Sequence, residues 1–228
     1  MDYELRKLGQ DEYWWPRSDH TGWANISWSL SELDIVLPKI THKRLAVQAG
    51  GNCGLWPVRL AQDFDRVVTF EPAPFMYDCL QENIRLHHAW NIDAHRAALS
   101  DRKELLELVQ HNTDNLGASF ITNRNKYEAM GHTTAGVRVR DISSMRIDDL
   151  ELTACDFIQL DIEGYEQIAL LGAEETIRRY RPVVMLEING CGTAYGYEDG
   201  DTIRYMRSRG YQLSIQFNEN FVFLPVDS

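Results

Sequence analysis

The chain predicts an α/β fold built on a largely parallel sheet, and three observations carry that expectation. From about residue 45 onward short apolar runs alternate with longer amphipathic ones, the pattern of buried strands joined by crossover helices. Pro182 opens Val183-Val184-Met185-Leu186, a continuous apolar run suited to a strand covered on both faces. Tyr211 to Phe217 and Phe221 to Leu224 are β-prone runs separated by Asn218-Glu219-Asn220. That is a hairpin signal, and it makes the last strand antiparallel to its neighbours.

Taken in order, residues 1–40 read as a Trp-rich arm and 41–228 as the main domain. Trp14, Trp15, Trp23 and Trp28 are four of the six tryptophans, in a stretch too polar to hold its own core. They must pack on the domain or line its pocket, since large aromatics supply contact area for either. Ser31 followed by Asp34 resembles a capping pattern opening a short helix through about Leu37. Strands are expected at Leu45-Ala46-Val47, Val67 to Phe70, Ile92 to Ala98, Asp156 to Leu160 and Val183 to Leu186. Helices are expected over 73–88 and 164–180, the latter from the spacing of Ile168, Leu171, Ala173 and Ile177, with another ending at Gly210. Right-handed crossovers place such helices on both faces of the sheet. Residues 103–140, with a polar middle from Asn112 to Asn125, read as an excursion.

Composition narrows the function. The 228 residues are 44% hydrophobic and 25% charged, with a formal charge of −11. Such a chain is repelled by a phosphate backbone unless its cations cluster, so nucleic acid is not an expected partner. No window holds the ~18 consecutive apolar residues of a membrane span, and MDYELRKLGQ lacks a signal-peptide core, which points to a cytoplasmic protein. Cys53, Cys79, Cys155 and Cys191 are widely spaced. They suggest neither a disulfide framework nor a zinc site, and Cys53 reads as a small packing residue near the Gly-rich turn. Residues 141–175 hold ten carboxylates against one cation, Arg146.

The first chemical signal is Gln48-Ala49-Gly50-Gly51-Asn52-Cys53-Gly54, where a strand gives way to a helix. Glycines there let the backbone approach a ligand and leave a helix N-terminus open to a polar group. Seventeen residues beyond Gly54 the next strand ends in Glu71-Pro72, where a carboxylate can accept hydrogen bonds from the hydroxyls of an adenosine ribose. In a dinucleotide site the second glycine of G-x-G-x-x-G makes room for a pyrophosphate. Asn52 occupies that place, so a smaller polar group, such as the amino acid end of a methionine, fits better. A nicotinamide-dependent oxidoreductase is therefore a weaker alternative.

These residues, together with Ala97-Ala98-Leu99-Ser100-Asp101, Leu160-Asp161-Ile162-Glu163-Gly164-Tyr165-Glu166 and Arg181-Pro182 leading to Glu187, resemble the FkbM-type methyltransferases in order over about residues 45–190. The resemblance implies a class I, Rossmann-like mixed sheet of seven strands, flanked by helices and closed by the antiparallel hairpin. It also implies S-adenosylmethionine as methyl donor and O-methylation of a small hydroxyl or sugar acceptor. Donor contacts then fall on Gln48, Gly50, Gly51, Asn52, Gly54, Glu71, Pro72, Ala97 and Ala98. One departure is Gln48, where the family's first strand ends in an acid. An amide keeps hydrogen bonds but loses their charge-assisted part, so weaker donor binding is expected. A non-catalytic protein that keeps the donor fold is the alternative this departure leaves open.

Asp161, Glu163 and Glu187 stand at strand ends, where ligands gather in parallel α/β sheets. Burial and mutual repulsion would raise some of their pKa values and make one a general base. Asp161 is the first choice for taking the acceptor's proton, Glu187 the second, and Glu163 orients the acceptor. A hard cation held by these oxygens is a further reading, but no ligand loop is spaced for one and no metal site is expected. Glu166 reads as a charge complementing a helix start. The glycine-rich stretch 189–200 could close over the acceptor. Asp148, Asp149, Glu174 and Glu175 read as solvated surface.

Overall fold

The computed structural model describes residues 2–110, 114–122 and 137–226. Strands β1 (Tyr3–Leu8) and β2 (Asp11–Pro16) form an antiparallel hairpin, followed by helix α1 (His20–Ser29). A run of 3₁₀ turns around the short α2 (Leu33–Val36) continues to Lys39. Then come β3 (Leu45–Ala49), α3 (Leu55–Ala61), β4 (Arg66–Phe70), α4 (Pro74–Leu86) and β5 (Ile92–His95). Four further strands follow: β6 (Ala98–Leu99), β7 (Leu105–Gln110), β8 (Phe120–Ile121) and β9 (Val137–Met145). The remainder runs β10 (Phe157–Leu160), α5 (Glu166–Leu171), α6 (Glu174–Tyr180), β11 (Val183–Glu187), α7 (Asp199–Ser208), β12 (Tyr211–Phe217) and β13 (Asn220–Pro225).

The main sheet has seven strands in the order β12-β13-β11-β10-β3-β4-β5. Five consecutive members, β11, β10, β3, β4 and β5, are parallel, and β13 runs antiparallel to β11, as the sequence predicts. Every residue of β3 is buried, because alternate side chains enter cores on opposite faces. Val47, Ile158 and Val184 meet Leu170 and Ile177 on one side. Ala46, Val67, Phe157 and Met185 meet Leu33, Val36 and Leu60 on the other. Among the described residues no helix is long and apolar enough to cross a membrane.

Several elements differ from expectation for local reasons. The predicted 164–180 helix is two helices, because Gly172 packs against the Ser100 carbonyl so closely that a Cβ would overlap it. Asp148 then caps α6, its carboxylate accepting from the Glu175 N–H at 3.2 Å and the Thr176 N–H at 2.8 Å, so it is a buried cap and not solvated surface. The Ile92–Ala98 run breaks at Arg96-Ala97, and its second part joins a separate sheet of order β6-β9-β7-β8. The described parts of 103–140 thus contain paired strands where sequence suggested an excursion. Residues 111–113 and 123–136 of that stretch lie outside the described residues. Ser31 caps nothing: its hydroxyl donates to the Trp28 carbonyl at 2.9 Å within a helical run already begun. The cap of α1 is Asp19, which accepts from the Gly22 N–H at 2.8 Å.

The arm's aromatics divide between packing and the cleft. Trp15 is fully buried, its indole N–H donating to the Asp19 carbonyl at 2.9 Å. Tyr3 stacks on Phe75 of α4 with centroids 4.9 Å apart. Buried Asn83 of α4 makes the tie: its Nδ2 donates to the carbonyls of Trp14 at 2.8 Å and Cys53 at 2.7 Å, and its Oδ1 accepts from the Trp14 N–H at 2.7 Å. One side chain therefore joins the hairpin to the Gly-rich turn. Trp28 remains 61% exposed.

Gly164 has φ +92°, and a Cβ there would run into the backbone at Cys191 and Gly192. Gly164→Ala should therefore cost about 1–3 kcal/mol in strain. A thermal melt should show Tm lowered by roughly 3–10 °C for a chain of this size.

Candidate active site

The cleft opens along the C-terminal ends of β3, β4, β10 and β11, the edge at which parallel sheets bind ligands. Three connected chambers can be distinguished. The inner one has mostly apolar walls, among them Phe70, Met76, Leu99, Leu108 and Ile121. Gly50, Asn52, Glu71, Asp161 and Glu163 border both it and the middle chamber. Asp161 and Glu187 are shared in turn between the middle chamber and an outer one reaching Trp28 and Glu219.

The Gly-rich turn is clamped on the end of β4: the N–H groups of Gly50 and Gly51 donate to the Phe70 carbonyl at 3.1 and 2.9 Å. Gly50 has φ +82°, and a Cβ would overlap the Asp161 carbonyl, so only glycine permits β3 and β10 to end this close together. Asn52 has φ +48°, a left-handed conformation that Asn tolerates better than most residues. Its N–H donates to Glu71 Oε2 at 2.7 Å, and the Ala73 N–H donates to Oε1 at 2.8 Å. Each oxygen of Glu71 keeps a free lone pair. Burial pushes this carboxyl up to about 7, against the downward pull of the two N–H groups.

Pro72, Ala97 and Ala98 line the inner chamber with Gly50, Asn52 and Glu71. The other predicted donor contacts stand behind it. Gln48 is fully buried, its amide donating to the carbonyls of Ala49 at 3.1 Å and Gly50 at 3.0 Å and accepting from the Thr69 hydroxyl. It shapes the turn from beneath and does not line the cleft. Gly51 sits against Thr69 and Glu71, and Gly54 caps α3 against Leu80. Cys53 is buried in the core under the hairpin.

At the far side Asp161 and Glu187 hydrogen-bond each other, which requires one of the two carboxyls to hold a proton. Burial raises both, and the charges of Asp161, Glu163 and Glu166 raise Glu187 further. More neighbouring charges raise Glu187 than Asp161, so Glu187 is the member of the pair that holds a proton more readily. Glu163 has φ +55° and is pushed up to about 8 by burial and then by Asp161 and Glu166, with Asn189 opposing through a hydrogen bond. Asn189 also donates to Glu187 Oε2 at 3.0 Å. Among the described residues no three His, Cys, Asp or Glu side chains converge on a metal position.

Glu166 stands in the first turn of α5, as expected of a charge complementing a helix start. It is buried and folds back to accept from the N–H groups of Ile162 at 2.9 Å and Gly164 at 3.3 Å, fixing the turn that carries Glu163. The 189–200 stretch also supports that turn: buried Tyr195 packs edge-on to Tyr165 at 4.9 Å and donates to the Ile121 carbonyl. It braces the motif, and none of its residues is among those lining the three chambers.

Sequence reasoning missed two acceptors in the cleft, Gln159 and Glu32. Glu32 is spaced i,i+4 with buried Val36, so a carboxylate on the apolar face of a helix was a readable signal.

Residues 56–213 match the model of the Methyltransferase FkbM domain. The chain is 23% identical to Methyltransferase 1 of Beauveria bassiana (strain ARSEF 2860) over 75% of its own length and 73% of that protein's. It is 26% identical to Methyltransferase sdnD of Sordaria araneosa, over 57% of this chain and 60% of that one. The crystal structure of methyltransferase FkbM from Methylobacillus flagellatus KT shares the fold with a TM-score of 0.55 at 18% identity, covering 80% of this chain and 43% of that chain. This chain thus spans less than half of that protein. With a class I sheet, a Gly-rich turn facing Glu71, and a family model matching well over half its length, the chain belongs to the FkbM methyltransferase family.

Proposed function

We propose that the cleft binds S-adenosylmethionine in its inner and middle chambers and directs the methyl group to a hydroxyl of a small acceptor at Asp161. The observation that carries this reading is the buried Glu71 carboxylate. It is held by two backbone N–H groups with one lone pair left on each oxygen, matching the two hydroxyls of a ribose. The apolar walls of the inner chamber suit a planar base. Among the described lining residues the chambers carry carboxylates and no Lys or Arg, a setting that suits a cationic ligand and disfavours a pyrophosphate.

The donor supplies a methyl group already activated on a sulfonium. The protein's own task is to hold the acceptor oxygen in line and take its proton. Asp161, ionised and accepting from Glu187, is the group that takes it, and the proton held on Glu187 keeps the pair from carrying two adjacent charges. Glu163 and Asn189 orient the pair. The reading is tested by transfer of a labelled methyl group to a panel of sugars and hydroxy compounds, with the product bond identified by NMR. A methyl group found only on nitrogen or carbon would refute O-methylation.

Glu71 also predicts a pH dependence. The ribose hydroxyls are best held by the ionised carboxylate, so binding lowers its pKa. Affinity for S-adenosylhomocysteine should then be full above pH about 7 and fall as pH drops below it. The limit is about tenfold per pH unit until the bound-state pKa is reached. Calorimetry across that range checks it, and a flat profile contradicts it.

A further inference from the structure

The outer chamber has a chemistry that methyl transfer itself does not require. Glu32, Asp161, Glu187 and Glu219 line it. No Lys, Arg or His is among the described residues lining any of the three chambers. Polar atoms there lack donors. Glu32 is only 5% exposed; its Oε2 accepts from Asn220 Nδ2 at 2.9 Å, while its buried Oε1 has no hydrogen-bond partner. Gln159, 1% exposed and lining the middle chamber, likewise has an unpartnered Oε1, and so does Asn220 at its Oδ1. All three are acceptors. A buried acceptor left unpaired is costly, more so on a carboxylate, so the complementary ligand brings donors and positive charge.

We propose that the methyl acceptor also carries a protonated amine, as an amino sugar, aminocyclitol or amino alcohol does, and that its ammonium group is seated at Glu32 while its hydroxyl faces Asp161. This rests on the methyl-transfer reading above. An ammonium offers three donors to acceptors that have none, and exposed Trp28 on the same chamber offers a ring face to a cation. Burial pushes the Glu32 carboxyl up to about 7, with the Asp161 charge adding to it and the Asn220 hydrogen bond opposing; a bound cation favours its ionised form. Seating the amine as ammonium also fixes the site of methylation. A protonated nitrogen has no lone pair, so the nucleophile is the hydroxyl oxygen. Its proton passes to Asp161 as the new O–CH₃ bond forms. The S–CH₃ bond of the donor breaks with its electron pair left on sulfur, and the ammonium is unchanged.

The test is calorimetry on the full chain, with and without S-adenosylhomocysteine, using three matched pairs: glucosamine and glucose, streptamine and scyllo-inositol, serinol and glycerol. At least one amine should bind about tenfold or more tighter than its hydroxyl partner, the value of one charge-assisted hydrogen bond. Glu32→Gln should abolish that preference while leaving S-adenosylhomocysteine affinity unchanged. Glu219→Gln, at an exposed turn, should reduce the preference by about threefold, the effect of an exposed charge pair, and serves if Glu32→Gln misfolds. Equal binding within all three pairs, or a preference that survives both substitutions, overturns the inference. If S-adenosylhomocysteine still binds in that case, the donor reading stands alone. If it fails to bind while the Glu32-dependent preference is present, the donor reading falls and the amine subsite stands.

Discussion

Replacing Glu71 with Gln should weaken S-adenosylmethionine binding about a hundredfold while leaving the fold intact. The carboxylate sits between the Asn52 and Ala73 N–H groups. An amide can accept from only one of them, and its NH₂ then opposes the other donor. It also loses charge-assisted bonds to the ligand, worth about 1.5–3 kcal/mol each. A combined loss of roughly 3 kcal/mol corresponds to two decades in Kd. Calorimetry measures the affinity and a thermal melt controls for folding. A change below about threefold in Kd would remove Glu71 from the donor site.

Asp161→Asn is expected to have the largest effect on turnover. It removes the proton acceptor, and general-base contributions are typically about 10²–10⁴-fold, so kcat should fall by that factor. Glu187→Gln keeps a donor to Asp161 but changes the shared-proton pair, and should lower kcat less, roughly tenfold, while shifting the pH–rate profile. Both variants should bind S-adenosylhomocysteine within a few-fold of the parent. Labelled-methyl transfer under single-turnover conditions separates chemistry from binding. Full turnover in both variants would show that the pair is not catalytic.

The sheet was legible because its signals are local. β11 is an unbroken apolar run up to its terminal Glu187, β10 is apolar but for Gln159, and the C-terminal hairpin is marked by its turn residues. The parts of the site on that sheet were legible for the same reason, since strand ends carry Gly50, Glu71, Asp161 and Glu187. What escaped depends on non-local contacts. The β6-β9-β7-β8 sheet is assembled from strands separated by long polar stretches, so no hairpin turn announced it. It nevertheless supplies Leu108 and Ile121 to the inner chamber. Gln48 has the type and position of a ligand contact, yet the sheet pleat turns it toward Thr69. Asp148 belonged to an acidic run, but the break at Gly172 gave it the free N–H groups of α6 to cap. A charge run does not say which members face water.

The arm follows the same rule. Its aromatics announced that it packs on something, and Asn83 with its bonds to Trp14 and Cys53 decides where. That placement brings Asn25, Ile26 and Glu32 to the mouth of the cleft. The segment with no motif of its own therefore supplies part of the wall of the middle and outer chambers.

The central claim is that the Gly-rich turn and Glu71 form a donor site, and titration of the full chain with S-adenosylhomocysteine in a calorimeter at neutral pH tests it most directly. The expected result is saturable binding of one ligand per chain with micromolar affinity, lost in Glu71→Gln. No heat of binding up to millimolar ligand would contradict it.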